Sequence, residues 1–411
     1  VTATLLDPQP HATRPQALRC RVVRRHLGLQ GLGQIADAAT AVTLTRLLLL
    51  ERNGPTAGEV TAGIAASVMP AVLSLPLAWA IADSLRRNAS LAAAHVARAA
   101  IAVAAMLVPL TSSRTLGFAI VAAITAMQTI CGSLRSASLG HAVSSERLMA
   151  ANSLAAVTGK AAGTIGLALV VALHFVSPIV CFSLAALLHL GTAIGYLTWR
   201  TDLGGRGGDV RIANMTAFTS IAAWRRPDAM KFVPTTIALR AVQGATMVSF
   251  VAILERRYGG GSAATTAALA MTSAGAFLGM ALAPNYWRWH PRPLVRRGAL
   301  LVLISTTFGS LALPAAPICL IGQFLLSAAF GALKVRADSA IQANTDSTSR
   351  GRTVATHDAA YHVAFVTGAV LAIVNPYAGR MPGLSLIMGV GLVVVAGSRW
   401  ATHRRGETIR C

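Results

Sequence analysis

Acidic residues are scarce in this chain. Only 14 of its 411 residues are Asp or Glu, and charged residues of both signs make up 12%. That is too little polar surface for a water-soluble globule, because 54% of the residues are hydrophobic and the mean hydropathy is +0.60. Cysteine is sparse as well. Cys20, Cys131, Cys181, Cys319 and Cys411 are an odd number scattered mostly inside apolar segments, which implies neither a disulfide framework nor a zinc site. The 36 Lys and Arg leave a net charge of +22. On a soluble protein that excess would suggest nucleic acid. Here the basic residues sit in gaps between apolar segments, not on one face or in one motif, so nucleic-acid binding is excluded.

What is abundant is long apolar sequence. Stretches of ~17–25 apolar residues read as bilayer spans, and twelve are found: Leu27–Leu50, Val60–Ile81, Leu91–Leu110, Leu116–Leu134, Leu148–Leu173, Ile179–Trp199, Phe232–Leu254, Ala263–Ala283, Gly298–Leu313, Ile318–Val335, Val354–Val374 and Leu384–Trp400. Basic residues collect in alternate gaps: Arg86 and Arg87, Arg135 and Arg147, Arg296 and Arg297, Arg350 and Arg352, and both chain ends. Basic loops stay in the cytoplasm, so both termini are expected inside. Trp79, Trp199, Trp287, Trp289 and Trp400 all fall at the expected cytoplasmic ends of even-numbered spans, where an amphipathic ring suits the headgroup level. The expected organisation is a basic tail (1–26), six spans (27–199), a central loop (200–231), six more spans (232–400) and a second tail (401–411). The central loop reads as a Gly-rich linker leading to a short interfacial helix. The basic N-terminus runs into a full-length span, so no removable signal peptide is expected.

The two halves are related. The stretch 134–170 places Arg135, Ser138 and Arg147 ahead of an apolar helix, and 335–374 repeats the plan with Arg336, Ser339 and Arg350. Polar residues within spans form stripes at helical spacing: Gln30, Gln34 and Asp37 in span one; Thr125, Gln128 and Arg135 in span four; Thr236, Arg240 and Gln243 in span seven; Gln323, Ser327 and Lys334 in span ten. A polar stripe facing lipid is unfavourable, so these four faces are expected to line a shared water-accessible cavity. Gly159, Gly163 and Gly166 in span five are expected to form a close helix-packing face.

Ionisable groups inside spans cost ~2.5–3.5 kcal/mol at a helix centre and must be paired, hydrated or neutralised. Asp37 is the first candidate for a proton carrier. The alternative is a permanent ion pair with Lys160 or Arg240, and those two cations could instead meet an anionic substrate. Arg98 and Arg46 are expected to snorkel. Asp358 and His362, four residues apart in span eleven, are a second candidate proton pair. His357 and His362 diverge on a helix, which argues against a metal or catalytic pair and hence against an enzyme.

The chain resembles the major facilitator superfamily, and within it the multidrug-efflux and enterobactin-exporter branch. The residues that carry the resemblance are Ala36-Asp37 in span one, ERLMAANSL from Glu146 to Leu154, and Ile341-Gln342 followed by Arg350-Gly351-Arg352. The family's loop motif between spans two and three is partly kept: Asp83 and Arg87 match, whereas Trp79, Ser84 and Arg86 depart from it. The resemblance implies an all-α polytopic membrane protein of two pseudo-symmetric six-helix bundles with alternating access and, commonly, proton-driven export. It also implies that Asp83 and Arg87 latch a cytoplasmic gate. The expected partners are the bilayer, protons and a small-molecule substrate, with no cofactor or metal, in a monomer. The Arg-over-Lys bias and Ala-rich spans point to a GC-rich bacterium and its inner membrane.

Overall fold

The computed structural model describes residues 14–45, 47–48, 66, 69–108, 113–172, 177–205, 233–258, 261–289, 316–343, 345 and 350–374. Every regular element among them is helical: α1 (Arg14–Leu18), α2 (Arg21–Thr45), α3 (Leu75–Ser84), α4 (Arg87–Leu107), α5 (Arg114–Ala142), α6 (Ser145–Ala172), α7 (Pro178–Leu197), α8 (Val233–Tyr258), α9 (Gly261–Trp289), α10 (Ala316–Ala343) and α11 (Arg350–Val374). Described helices cover most of nine of the twelve expected spans, while the second, 60–81, is described only at 66 and from 69 onward. The spans at 298–313 and 384–400 lie outside the described residues, as do Arg46 and the interfacial helix expected in the central loop. Five stretches are long and apolar enough to cross a membrane by length and composition: 87–107, 115–142, 147–170, 178–197 and 320–343.

Boundaries follow local chemistry. Ser177 caps α7 by accepting from the Ile179 N–H at 3.3 Å, with Pro178 pre-set at the first helical position. The basic N-terminal residues, expected as tail, are already helical: α2 starts at Arg21, six residues before the apolar span. Arg25 explains how this end is held. Its guanidinium donates to Gly195 O at 2.9 Å and Thr198 Oγ1 at 3.1 Å and lies over the Trp199 ring.

The internal repeat appears as matching local structure. Ser138 Oγ donates to Leu134 O and Ser339 Oγ to Val335 O, each at 2.7 Å and buried. These are the same back-bond at repeat-equivalent positions of α5 and α10.

The chain divides into two compact units. One comprises residues 12–222 with 345–359, and the other contains 223–344 and the remaining described turns of α11. The first turns of α11 therefore belong with the N-terminal unit, a departure from the simple halves read from sequence.

Within each unit, small residues let helices approach closely. In the N-terminal unit a Cβ on Gly166 would meet Ile35 O at 2.6 Å and one on Gly159 would meet Gln34 Oε1 at 2.6 Å, so α6 packs on α2 through these positions. Gly163, expected on the same face, has nothing within 4 Å. In the C-terminal unit, Gly275 and Gly279 of α9 abut the carbonyls of Phe324 and Ala328 on α10, and Gly331 answers against Ala276 O at 2.6 Å. Gly279→Val drives a branched side chain into backbone and is expected to cost ~1–3 kcal/mol. Gly163→Ala, in open space, is expected to be neutral or mildly stabilising. Thermal unfolding in detergent checks both, and equal melting points would show that the α9–α10 contact is not what holds this unit.

Candidate functional site

The polar groups of the N-terminal unit converge on Asp37 of α2. Asp37 Oδ2 accepts from Arg98 Nη1 of α4 at 3.0 Å, and His189 Nε2 of α7 lies 3.6 Å from Oδ1. The His189 Nδ1 stands 3.2 Å from His95 Nδ1 of α4. His95 stacks on Tyr196, with ring centroids 5.8 Å apart, and Tyr196 stacks on Trp199 at 6.0 Å. His26 joins the edge of that stack. The result is a run of titratable and aromatic groups from the middle of α2 to the Trp199 end of α7.

Helical spacing makes this possible. His95 and Arg98 are three apart on α4, and His189 and Tyr196 are seven apart on α7, so each pair presents one face. Gly33, one turn before Asp37, supplies the space: a Cβ there would lie 2.6 Å from His95 Cε1. Apolar packing seals both sides of the cluster. Ala78, Leu91, Ile130, Leu134 and Ala193 pack toward Tyr196 and Trp199, while Ala36, Ala39, Ala99, Ala102 and Ala185 close the other side. In so dry a setting the Arg98–Asp37 pair is worth most as a pair, since removing one member strands a buried charge. Arg98 side-chain exposure is 2% against 13% for Asp37, so the carboxylate is the more accessible partner. Arg98 Nε and Nη2, His95 Nε2, His26 Nδ1 and the Tyr196 hydroxyl are buried without a hydrogen-bond partner among the described residues.

Two expectations are corrected here. Arg98 does not snorkel: it is buried and ion-paired, because Asp37 sits opposite and a buried guanidinium needs a counter-charge. Within the N-terminal unit the partner of Asp37 is accordingly Arg98, not Lys160. His95 and His189 were missed by the sequence reading, although a lone histidine in an otherwise Ala- and Leu-rich span is a signal that could have found them.

The other candidates are distributed. Gln30 is buried and donates to Ala155 O of α6 at 2.9 Å, and Gln34 lies against Gly159, so this part of the α2 stripe faces α6 while Asp37 turns toward α4 and α7. Gln128 is half-buried and Lys160 exposed. In the C-terminal unit Gln323 donates to Thr272 Oγ1 at 2.9 Å, and Gln243 donates to Ser327 Oγ at 3.0 Å while accepting from Arg240 Nη1 at 2.6 Å. On α11 Asp358 is half-buried and His362 exposed.

The loop-motif residues behave differently from one another. The Asp83 side chain lies outside the described residues. Arg87 is buried and donates to the carbonyls of Ala82, Ala137 and Leu203 at 3.0, 3.2 and 3.2 Å. Its backbone N–H bonds Gly204 O at 3.1 Å, and Gly204 and Gly205 take φ of +87° and +99°, where glycine is favoured. The first residues of the expected flexible linker are therefore pinned to the start of α4.

No protein-family model matches the chain, and no curated protein matches it. Solved structures do. The chain is similar to the human organic anion transporter MFSD10 (TM-score 0.67, 17% identity, 91% of this chain and 98% of that one). It is similar to a bacterial homologue of the iron transporter ferroportin in the outward-facing state (0.70, 13%, 94% and 100%). It also resembles the major facilitator superfamily proton:xylose symporter XylE (0.60, 13%, 91% and 94%). At these identities the likeness establishes the fold alone, the all-helical fold these transporters share.

Proposed function

Proceeding from the major facilitator fold, we propose that this chain is a secondary active transporter of the bacterial inner membrane, working by alternating access. In this reading it exports a hydrophobic or amphipathic small molecule, such as a drug or siderophore, in exchange for protons. The observation that carries the proposal is the Asp37–Arg98 pair at 3.0 Å with His189 behind it.

The pair has the properties a coupling site needs. Ionised Asp37 neutralises buried Arg98. When Asp37 takes a proton, the guanidinium loses its counter-charge inside an apolar bundle, and the state in which Arg98 finds a new acceptor or water is favoured instead. Two conformations that differ in the partner of Arg98 are thereby biased by one proton. His189 stands 3.6 Å from the carboxylate and 3.2 Å from His95, which in turn stacks on Tyr196, so the two imidazoles flank Asp37. Asp358 and His362 serve as a second proton pair in this reading, Gln30, Gln34, Gln128, Lys160, Arg240, Gln243 and Gln323 contact the solute, and Asp83 with Arg87 controls the cytoplasmic gate.

The second reading is solute import by proton symport. The structural neighbours include a proton:xylose symporter, so direction is not written in the fold.

Uptake into inverted vesicles separates the readings, using a panel of cationic, neutral and anionic amphiphiles. An acid-inside gradient is expected to raise accumulation of at least one compound several-fold. Accumulation only when the gradient is reversed would establish symport, and accumulation indifferent to any gradient would end the proton-coupled reading.

A further inference from the structure

The C-terminal unit contains a cation for which the proton reading has no use. Arg240 on α8 is half-buried, and its guanidinium carbon lies 4.3 Å from the Phe365 ring centroid, 4.5 Å from Tyr361 and 5.3 Å from Phe330. The cradle is built by close helix packing. Gly244 of α8 abuts Phe365 O of α11, and Gly368 of α11 abuts Ala241 O of α8, so the helices approach without intervening side chains one turn from Arg240. The guanidinium is also fixed in orientation: Nη1 donates to Gln243 Oε1, and Ser327 holds the Gln243 amide.

The two cations of this cluster are partnered differently. Lys334 lies 4.9 Å from the Tyr361 ring centroid and is met by both carboxylate oxygens of Asp338 at 2.8 Å. Among the described residues no carboxylate reaches Arg240, and its buried Nε has no hydrogen-bond partner. The bland alternative is an arginine satisfied by its rings. Cation–π contacts can offset part of the cost of holding the charge in an apolar setting. They supply no acceptor for an N–H, however, and a planar guanidinium held in a fixed orientation is what carboxylate and phosphate recognition uses.

We propose that Arg240, with Phe330, Tyr361 and Phe365, is a binding site for the anionic head of the transported molecule. The ligand class is a monoanion, a carboxylate, sulfonate or phosphate ester, carried on an apolar body that the rings contact. As a substrate site it rests on the transport reading, but binding is measured without any gradient and stands apart from coupling.

The test is calorimetric titration of the full chain in lipid nanodiscs with three probes that share one ring system: naphthalene-2-sulfonate, naphthalene-2-sulfonamide and 2-naphthyltrimethylammonium. The sulfonate is expected to bind saturably and at least tenfold tighter than the neutral sulfonamide, with the cation weakest. Arg240→Gln is expected to remove the preference. Arg240→Lys keeps the charge but not the planar fork and is expected to fall between. Tyr361→Leu is expected to weaken the sulfonate and the sulfonamide about equally. Equal binding of sulfonate and sulfonamide, no saturable sulfonate binding, or a preference that survives Arg240→Gln would overturn the site. If Arg240→Gln fails to fold, the probe contrast on the unaltered chain and the lysine variant still decide. Anion-selective binding without gradient-driven flux would sink the transport reading and leave the site standing.

Discussion

Asp37→Asn is expected to reduce the gradient-driven component of transport at least tenfold, leaving only downhill leakage. The substitution keeps the shape of the side chain and removes its titration, so the coupled step loses the group that carries the proton. A tenfold fall is about 1.4 kcal/mol of coupling. The substitution also leaves Arg98 buried beside a neutral amide, and part of any loss could come from a weakened bundle. Stability must therefore be measured beside flux. Proton movement on substrate addition, read with a pH-sensitive dye in proteoliposomes, is the decisive quantity. Undiminished proton movement in a well-folded Asp37→Asn protein would remove Asp37 from the mechanism.

Arg98→Ala is expected to give the largest loss of stability of any substitution considered. Breaking a buried pair by removing one partner costs ~3–5 kcal/mol, because the remaining charge is left without compensation. Arg98 side-chain exposure is 2%, so solvent does little to relieve the stranded carboxylate. The compensated double variant, Asp37→Asn with Arg98→Gln, separates the two roles. Both charges are gone, an amide pair of similar shape can hydrogen-bond, and the melting temperature is expected to return most of the way to that of the unaltered protein. Proton coupling is expected to stay lost. If the double variant is no more stable than Arg98→Ala alone, the pair is not the organising interaction of the bundle. If it is stable and still coupled, the proton travels by another route, with Asp358 and His362 next in line.

Much of the architecture was legible from sequence because the bilayer imposes strict rules. A run of apolar residues must be a helix, since every backbone polar group has to be satisfied within the segment. The nine spans that lie mostly on described residues are helices for that reason. Hydropathy located boundaries less well. Arg24 and Arg25 end an apolar run but do not end a helix, and α2 continues through them to Arg21 because Gly195, Thr198 and Trp199 receive the Arg25 side chain.

Sequence by itself determined that the chain is helical, with apolar helices long enough to cross a membrane, and that Asp37 is an acid a span would not hold without a reason. Tertiary structure decided which groups answer it. Helical period places residues on a face, but which face meets which is settled by non-local packing of small residues. Gly33 admits His95 against α2, and the α2, α4 and α7 contact then gives Asp37 to Arg98 and His189. Gly244 and Gly368 bring α8 against α11 and surround Arg240 with rings, with no carboxylate on it among the described residues. A buried charge takes the nearest compatible partner, and nearness across helices is set by where side chains are absent.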